Sequence, residues 1–335
     1  MTQFMFRRMF WMLVVLLAVS IMTFLLMRLV PGGPFNTDKG LPEAVIRNLE
    51  EKYNLDAPLY IQYLDYMSDL TIPRITGDDF KRTTTSDFLI NIPNTDNGPA
   101  FRWMNFGPSL VARNRTVSGI MRDNLPVSFA LGTAAFFVAL VIGLPAGISS
   151  ALGRNTWVDY FGMSIAILGV SIPAIILGPV LQYVFAVELG WFPATGWGDV
   201  NQMVLPAFAL GFAQSALIAR LTRASLLQVL NEDYIRTARS KGLAERTVVG
   251  VHAFRNALIP VVTVLGPLAA SLLTGTFVVE IIFGIPGLGK FFVNSISNRD
   301  YTVIMGTVLL FAFFLVFANF IVDLLYALID PRIRY

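Results

Sequence analysis

Six long apolar runs set the limits on what this chain can fold into. The first is Met9–Met27, and five more follow at roughly 127–152, 158–187, 203–228, 256–283 and 302–329. About 20 apolar residues cross a bilayer as a helix. Inside hydrocarbon every backbone N–H and C=O must pair within the protein, which leaves helices as the choice for runs of this length. Charged residues make up 14% of the chain, against about 25% in soluble domains. The runs therefore predict an all-α integral membrane protein with six transmembrane helices. Arg7 and Arg8 precede the first run, which is long for a signal peptide, and no small-x-small cleavage site precedes Pro31. It reads as span one with the N-terminus inside.

Alternation of six spans then places 153–157, 229–255 and the C-terminus in the cytoplasm. Charge agrees with this. Segment 188–202 carries Glu188 and Asp199 and no Lys or Arg, whereas the inner segments hold Arg154, a basic cluster after 231, Arg332 and Arg334. The chain divides into 1–30, an extracytoplasmic stretch 31–126 between spans one and two, and a core 127–335. Within the outer stretch, Leu41–Tyr53 and Pro58–Leu70 have helical apolar spacing. Residues 71–102 are polar and turn-rich, with Pro73, Gly77, Pro93, Asn97-Gly98 and Pro99, and Val111–Asn124 reads as an amphipathic helix. The last helix is expected to end at Asp330-Pro331.

Several function classes drop out. There is no Cys and one His, His252, so thiolate sites and His-based zinc or proton relays have no ligands. No G-x-x-x-x-G-K-[ST] loop is present, so any ATP must be bound by another chain. A net charge of +3 in a membrane-bound chain does not suggest nucleic acid. There is no H-E-x-x-H, no carboxylate line suited to proton transfer, and no internal repeat of the secondary-transporter kind. The polar and helix-breaking residues within spans are candidate path or gate positions: Ser171 and Pro173, Gln214 and Ser215, Ser271, Thr274 and Glu280. Each has a blander reading. Pro173 is a packing kink, Glu280 near the outer end of its span is interfacial, and Asp323 near an inner end is the same. Trp191, in the turn-rich loop Leu189–Gly196, reads first as an interfacial belt residue and more sharply as an outer gate. Phe283–Gly289 is a tight turn outside span five.

The most polar segment between two spans is Asn231–Pro260. Asn231 reads as a helix N-cap with Glu232 and Asp233 in the first turn, where the helix dipole favours anions. Gly242 reads as the residue that takes positive φ where the helix ends. A second amphipathic stretch runs from Ala244 to Asn256. On charge alone this is an ordinary basic loop on the inner side. Its spacing, Ala238 then Gly242, with Leu258 and Pro260 beyond, resembles the EAA loop of importer permeases of the ATP-binding cassette (ABC) superfamily. Arg236 and Thr237 stand where the general pattern has Glu and Ala, and the run Arg236–Leu243, RTARSKGL, resembles the peptide-transporter branch.

Other segments extend the resemblance: RRMF at Arg7–Phe10, LVPGGP at Leu29–Pro34, RNALIP at Arg255–Pro260, IPGLG at Ile285–Gly289, NRDY at Asn298–Tyr301 and the ending DLLYALIDPRIRY. Together they cover nearly the whole chain, which resembles the B-type permease subunits of bacterial oligopeptide importers, within the dipeptide, oligopeptide and nickel branch. Residues 71–102 depart from it by being longer than usual. The resemblance implies a type I ABC importer permease fold. It implies a sister permease, two cytoplasmic ATPases that carry ATP and Mg, and an extracytoplasmic binding protein that delivers peptide, within a lipid membrane. This chain would bind no cofactor and catalyse nothing. Arg236, Thr237, Ala238, Lys241, Gly242 and Leu243 would form the ATPase-coupling surface, and transport would proceed by alternating access. The outer stretch would be a docking surface for the binding protein or a substrate lid, or simply a solvated domain. Dipeptide and nickel are the alternative substrates, and a secondary transporter uncoupled from ATPases is the alternative class.

Overall fold

The computed structural model describes residues 2–29, 32–35, 42–76, 87–92, 100–112 and 114–329. The expected turns at Gly77, Pro93 and Asn97–Pro99, part of the LVPGGP motif and the stop at Asp330-Pro331 lie outside these. Helices dominate: α1 (Thr2–Leu29), α2 (Glu43–Lys52), α3 (Leu59–Thr71), α4 (Val117–Leu152), α5 (Trp157–Ser171), α6 (Ala174–Leu181), α7 (Val200–Leu230), α8 (Asp233–Ser240), α9 (Glu245–Thr247), α10 (Phe254–Leu273), α11 (Phe277–Ile282), α12 (Gly289–Asn298) and α13 (Tyr301–Ile329). Two π-helical segments continue α6 over Gln182–Glu188 and join α9 to α10 over Val248–Ala253.

Among the described residues five helical stretches are long and apolar enough to cross a membrane. A sixth is counted if α5 and α6 with its π extension form one span. That pair is bent by 104°, far more than the kink expected at Pro173. Ile172 and Pro173 are both extended (ψ 111° and 143°), because Pro disfavours helical geometry in the residue before it and cannot donate to the preceding turn. The expected amphipathic helix at 111–124 begins only at Val117 and is the first part of α4. The second polar stretch of the 231–260 loop is likewise continuous with the following span, which runs Glu245–Ile282 with a break at Thr274–Thr276.

The chain divides into two compact units. The first comprises 1–12, 128–286 and 314–335. Its centre is α7, against which α5, α6, α10 and α11 pack. Close approach to α4 depends on Gly143 and Gly147, one turn apart. A Cβ on Gly143 would lie 2.7 Å from the Ser215 carbonyl oxygen, and one on Gly147 2.6 Å from that of Ala219. Small residues at this spacing let membrane helices pack backbone to backbone. Asp159 of α5, 2% exposed, takes two hydrogen bonds from Arg223 of α7, from Nε and Nη2, both at 2.6 Å. Arg8 and Asp323 pair at 3.0 Å.

The second unit comprises 13–127 and 287–313. Its core gathers Phe24 and Met27 of α1 with Tyr301, Met305 and Leu309 of α13, flanked by Tyr63, Tyr66 and Leu70 of α3. Asp300 caps the start of α13. Its carboxylate accepts from Ser109 Oγ and from the Leu110 and Val111 backbone N–H groups, which ties the 108–112 loop to that helix end. Residues 71–103 are not wholly irregular. Strands β1 (Arg74–Thr76), β2 (Ile90–Ile92) and β3 (Ala100–Trp103) form an antiparallel sheet in the order β1-β3-β2, pairing Arg74 with Arg102 and Ile90 with Trp103. The all-α expectation therefore omits a small sheet. Its strands are three or four residues long, too short for period-two patterning to register.

Candidate functional site

The α8 loop is built as an anchored helix ending in a tight turn. Helix α7 runs on to Leu230, so Asn231 is its C-cap, with Nδ2 donating to Leu227 O at 2.8 Å; the N-cap of α8 is Glu232. Asp233 remains in the first turn, where it pairs loosely with Arg236 at 3.5 Å. One face of α8 is anchored. Ile235 (0% exposed) and Ala238 (7%) pack with Leu226, Val248, Ala253 and Ala257. Tyr234 Oη accepts from Asn256 Nδ2 at 2.7 Å. The other face, with Arg236, Thr237, Lys241, Gly242 and Leu243, is exposed.

The turn is a Schellman motif. Gly242 N donates to Arg239 O at 2.9 Å, Leu243 N donates to Ala238 O at 3.4 Å, and Gly242 has φ +75°. A feature the sequence reading missed closes the turn. Arg239 makes a two-pronged bond to Glu245, with Nη2 to Oε1 at 2.6 Å and Nε to Oε2 at 3.2 Å. This bond holds the Arg239 guanidinium above its usual range. Opposite charges flanking Gly242 were the available signal. Of the six candidate coupling residues, five lie on one exposed strip, and Ala238 sits behind them as a packing residue whose small size lets α8 lie close.

The candidate path residues are spread over several elements. Ser171 and Pro173 are exposed at the α5–α6 break, and Gln214 is half-buried on α7. Ser215 is buried, with Oγ donating to Phe212 O at 2.7 Å; Ser271 and Thr274 also donate to carbonyls of their own helix. Glu280 is 1% exposed, enclosed by the protein rather than open at the end of its span. Its Oε1 accepts from Ser128 Oγ at 2.8 Å and from the Thr276 backbone N–H at 3.3 Å. The break before α11 turns Glu280 back onto the Thr276 N–H at the start of that helix. Trp191 is exposed and lies 5.7 Å from the Phe185 ring, centroid to centroid. The Leu189–Gly196 loop meets the turn after α11: Gly196 N donates to Phe283 O at 2.9 Å, and Gln182 Nε2 donates to both Ala194 O and Ile282 O. No cluster of metal-ligating side chains occurs among the described residues.

The structure is thus a bundle of helices long and apolar enough to cross a membrane, with a small anchored polar helix between two of them. Its fold occurs in a solved structure. A chain of the MetNI methionine ABC transporter, in an inward-facing crystal form, aligns with a TM-score of 0.52 at 21% identity, over 63% of this chain and 96% of that one.

The chain belongs to the family of binding-protein-dependent transport system inner membrane components. That family's profile matches residues 143–335, and its N-terminal companion matches 1–86. The dipeptide transport system permease protein DppB of Bacillus subtilis (strain 168) is 45% identical over all of this chain and 98% of its own length. The oligopeptide transport system permease proteins OppB of Haemophilus influenzae and of Escherichia coli K12 are 40% and 39% identical over the whole of both chains.

Proposed function

We propose that this chain is one permease subunit of an ATP-driven peptide importer, and that the α8 loop is where it receives the motion of a partner ATPase. The observation that carries this is the construction of the loop. A docking element must hold its shape under force, and α8 is fixed by buried Ile235 and Ala238, by the turn at Gly242 and by the Arg239–Glu245 clamp. On its exposed strip of Arg236, Thr237, Lys241 and Leu243 the side-chain bonds among the described residues stay within the helix, from Arg236 and Thr237 to Asp233, and leave the strip open to a partner. Such coupling is mechanical, so this subunit needs no catalytic group; ATP and Mg would sit on the ATPases. The path would lie between this chain and a sister permease, opening alternately to each side. The α5–α6 break and the loop pair at Leu189–Gly196 and Phe283 are candidate moving parts.

In this reading α8 and both termini face the cytoplasm, and residues 31–126 face outward to an extracytoplasmic binding protein. The orientation is directly testable because the chain has no Cys. A single Cys at Thr237 should react with a membrane-impermeant maleimide only in inverted vesicles, and one at Thr76 only in intact spheroplasts.

The relatives named above support peptide as cargo. The dipeptide and the oligopeptide permeases both match the full length including the outer stretch, at 45% and at 40% and 39% identity, so both cargo lengths go forward to the test. The decisive experiment is affinity purification of the tagged chain from its native membrane in mild detergent, followed by uptake measurements. Recovery of a second permease and ATPases, with ATP-dependent uptake of labelled peptides of two to five residues, supports the reading, and the length profile chooses between the two cargoes. Recovery of this chain alone across several detergents, with uptake driven by an ion gradient, overturns it in favour of a secondary transporter.

A further inference from the structure

The second unit holds an open cleft of about 190 Å³ between the end of α1, helix α3 and the start of α13. One wall is cationic. The Arg28 guanidinium lies 5.3 Å from the Phe24 ring centroid and 5.0 Å from that of Tyr301. It donates one hydrogen bond to Gln62 Oε1, while its buried Nε has no partner among the described residues. Nor is Arg28 in any ion pair among them. Gln62 cannot turn away, because its Nε2 is held by Leu55 O and Ala57 O. Tyr66, in the same cleft, has a buried hydroxyl with no partner among the described residues, and burial pushes its phenol above the ordinary range, so it stays an O–H donor. A buried guanidinium N–H and a buried hydroxyl left without partners are each costly.

The same cleft is also lined by Asp65 and Asp69. Asp65 accepts an amide hydrogen from Asn54 at 3.2 Å and pairs with no cation among the described residues. Asp69 is ion-paired with Arg74, whose Nη2 donates to it; burial holds its carboxyl above the usual range, Arg74 opposes this and neighbouring Asp65 adds to it. The cleft thus offers donors without a counter-anion on one wall and, on another, Asp65 without a cation beside the paired Asp69, between aromatic rings. A dianion such as phosphate would be repelled by the carboxylates, and a simple cation would leave Arg28 unmatched.

We propose that this cleft binds a zwitterion of the α-amino acid or short-peptide kind, with its carboxylate on Arg28 and the Tyr66 hydroxyl and its ammonium beside Asp65 and Asp69. The site belongs to the second unit alone, and it stands whether or not the importer reading does.

The test is direct binding to the purified assembly in phosphatidylcholine nanodiscs, using leucine and Ala-Leu, which present the same two charges at different separations. One of the two should bind saturably, identifying which source fits the cleft. Amidation of its carboxylate, N-acetylation of its amine, Tyr66→Phe or Arg28→Gln should each weaken binding by about tenfold or more, as loss of a charged hydrogen bond requires. Asp65→Asn should weaken the zwitterion and leave its N-acetyl derivative unaffected. Tyr66→Phe and Asp65→Asn, which leave the helix packing intact, decide the matter should Arg28→Gln not assemble. Absence of saturable binding by either zwitterion overturns the proposal. So does binding that amidation, Tyr66→Phe and Asp65→Asn all leave unchanged, because such binding lies elsewhere in the assembly.

Discussion

Substitution at Gly242 separates the shape of the coupling loop from its docking. Gly242 has φ +75°, and a Cβ placed there would meet no atom within 4 Å. Its replacement therefore carries only the backbone cost of the left-handed conformation, about 1–2 kcal/mol for an ordinary L-residue and less for Asn. Against this stand two Schellman hydrogen bonds at about 1 kcal/mol each, with the exposed Arg239–Glu245 clamp beside them. The turn thus starts with roughly 2 kcal/mol of local stability. Gly242→Ala should leave it formed in most molecules and uptake reduced by less than about half. Gly242→Asn should be close to wild type. Gly242→Arg carries the same backbone cost as Ala, and in addition places a long cation on the exposed strip of Arg236, Thr237, Lys241 and Leu243. If that strip docks on an ATPase, the Arg variant should insert normally, lose the ATPases on purification and abolish uptake. The assay is labelled-peptide uptake normalised to inserted protein, with co-purified ATPase quantified in parallel. Equal uptake by the Ala and Arg variants would refute the docking argument.

Four further outcomes follow from the packing. Arg239→Glu and Glu245→Arg should each loosen the turn slightly, the pair being exposed, and partly lower uptake; the double reversal should restore it, and an unrestored double variant would show that these charges act outside the loop. Gly143→Leu should lower thermal stability in detergent through overpacking of about 1–3 kcal/mol, since its Cβ would lie 2.7 Å from the Ser215 carbonyl oxygen. Gly250→Ala should leave the melting temperature unchanged, having open space around it. Asp159→Asn should cost about 1.5–3 kcal/mol through its two bonds to Arg223, read as a lower melting temperature that Arg223→Lys does not rescue, because Lys cannot present the fork.

Hydrophobic run length made the spanning helices legible, and the turn chemistry of Gly242 was equally plain. Both are local signals, carried by consecutive residues. What was illegible depends on partners distant in sequence. Asp159 and Arg223 are 64 positions apart, and neither stands out until α5 and α7 are laid together. Glu280 lies near a span end by count, yet the break at Thr274–Thr276 turns it inward onto Ser128. Asn231 has the chemistry of an N-cap, but α7 claims it because nothing before Leu230 stops that helix. The Arg28 cleft draws on α1, α3 and α13, and no window of sequence contains its walls.

The join between loop and span shows most clearly why periodicity alone falls short. Val248 and Ala253 are both fully buried, while Gly250 and Val251 between them are exposed. In an α-helix of 3.6 residues per turn, positions five apart fall well off a common face. The π segment over Val248–Ala253 hydrogen-bonds five residues ahead, which stacks these two on one side. Both then reach the cluster of Ile235, Ala238, Leu226 and Ala257 that anchors α8. A regular helix here would turn either Val248 or Ala253 away and release one edge of that anchor. The widened turn therefore reconciles two demands on one stretch: α10 must continue upward as a spanning helix, and its base must hold α8. It is also a thin place in the ladder, where a shift from π to α geometry would rotate α8 relative to α10. Under the proposed docking, motion delivered to α8 would enter the spanning helices through this segment.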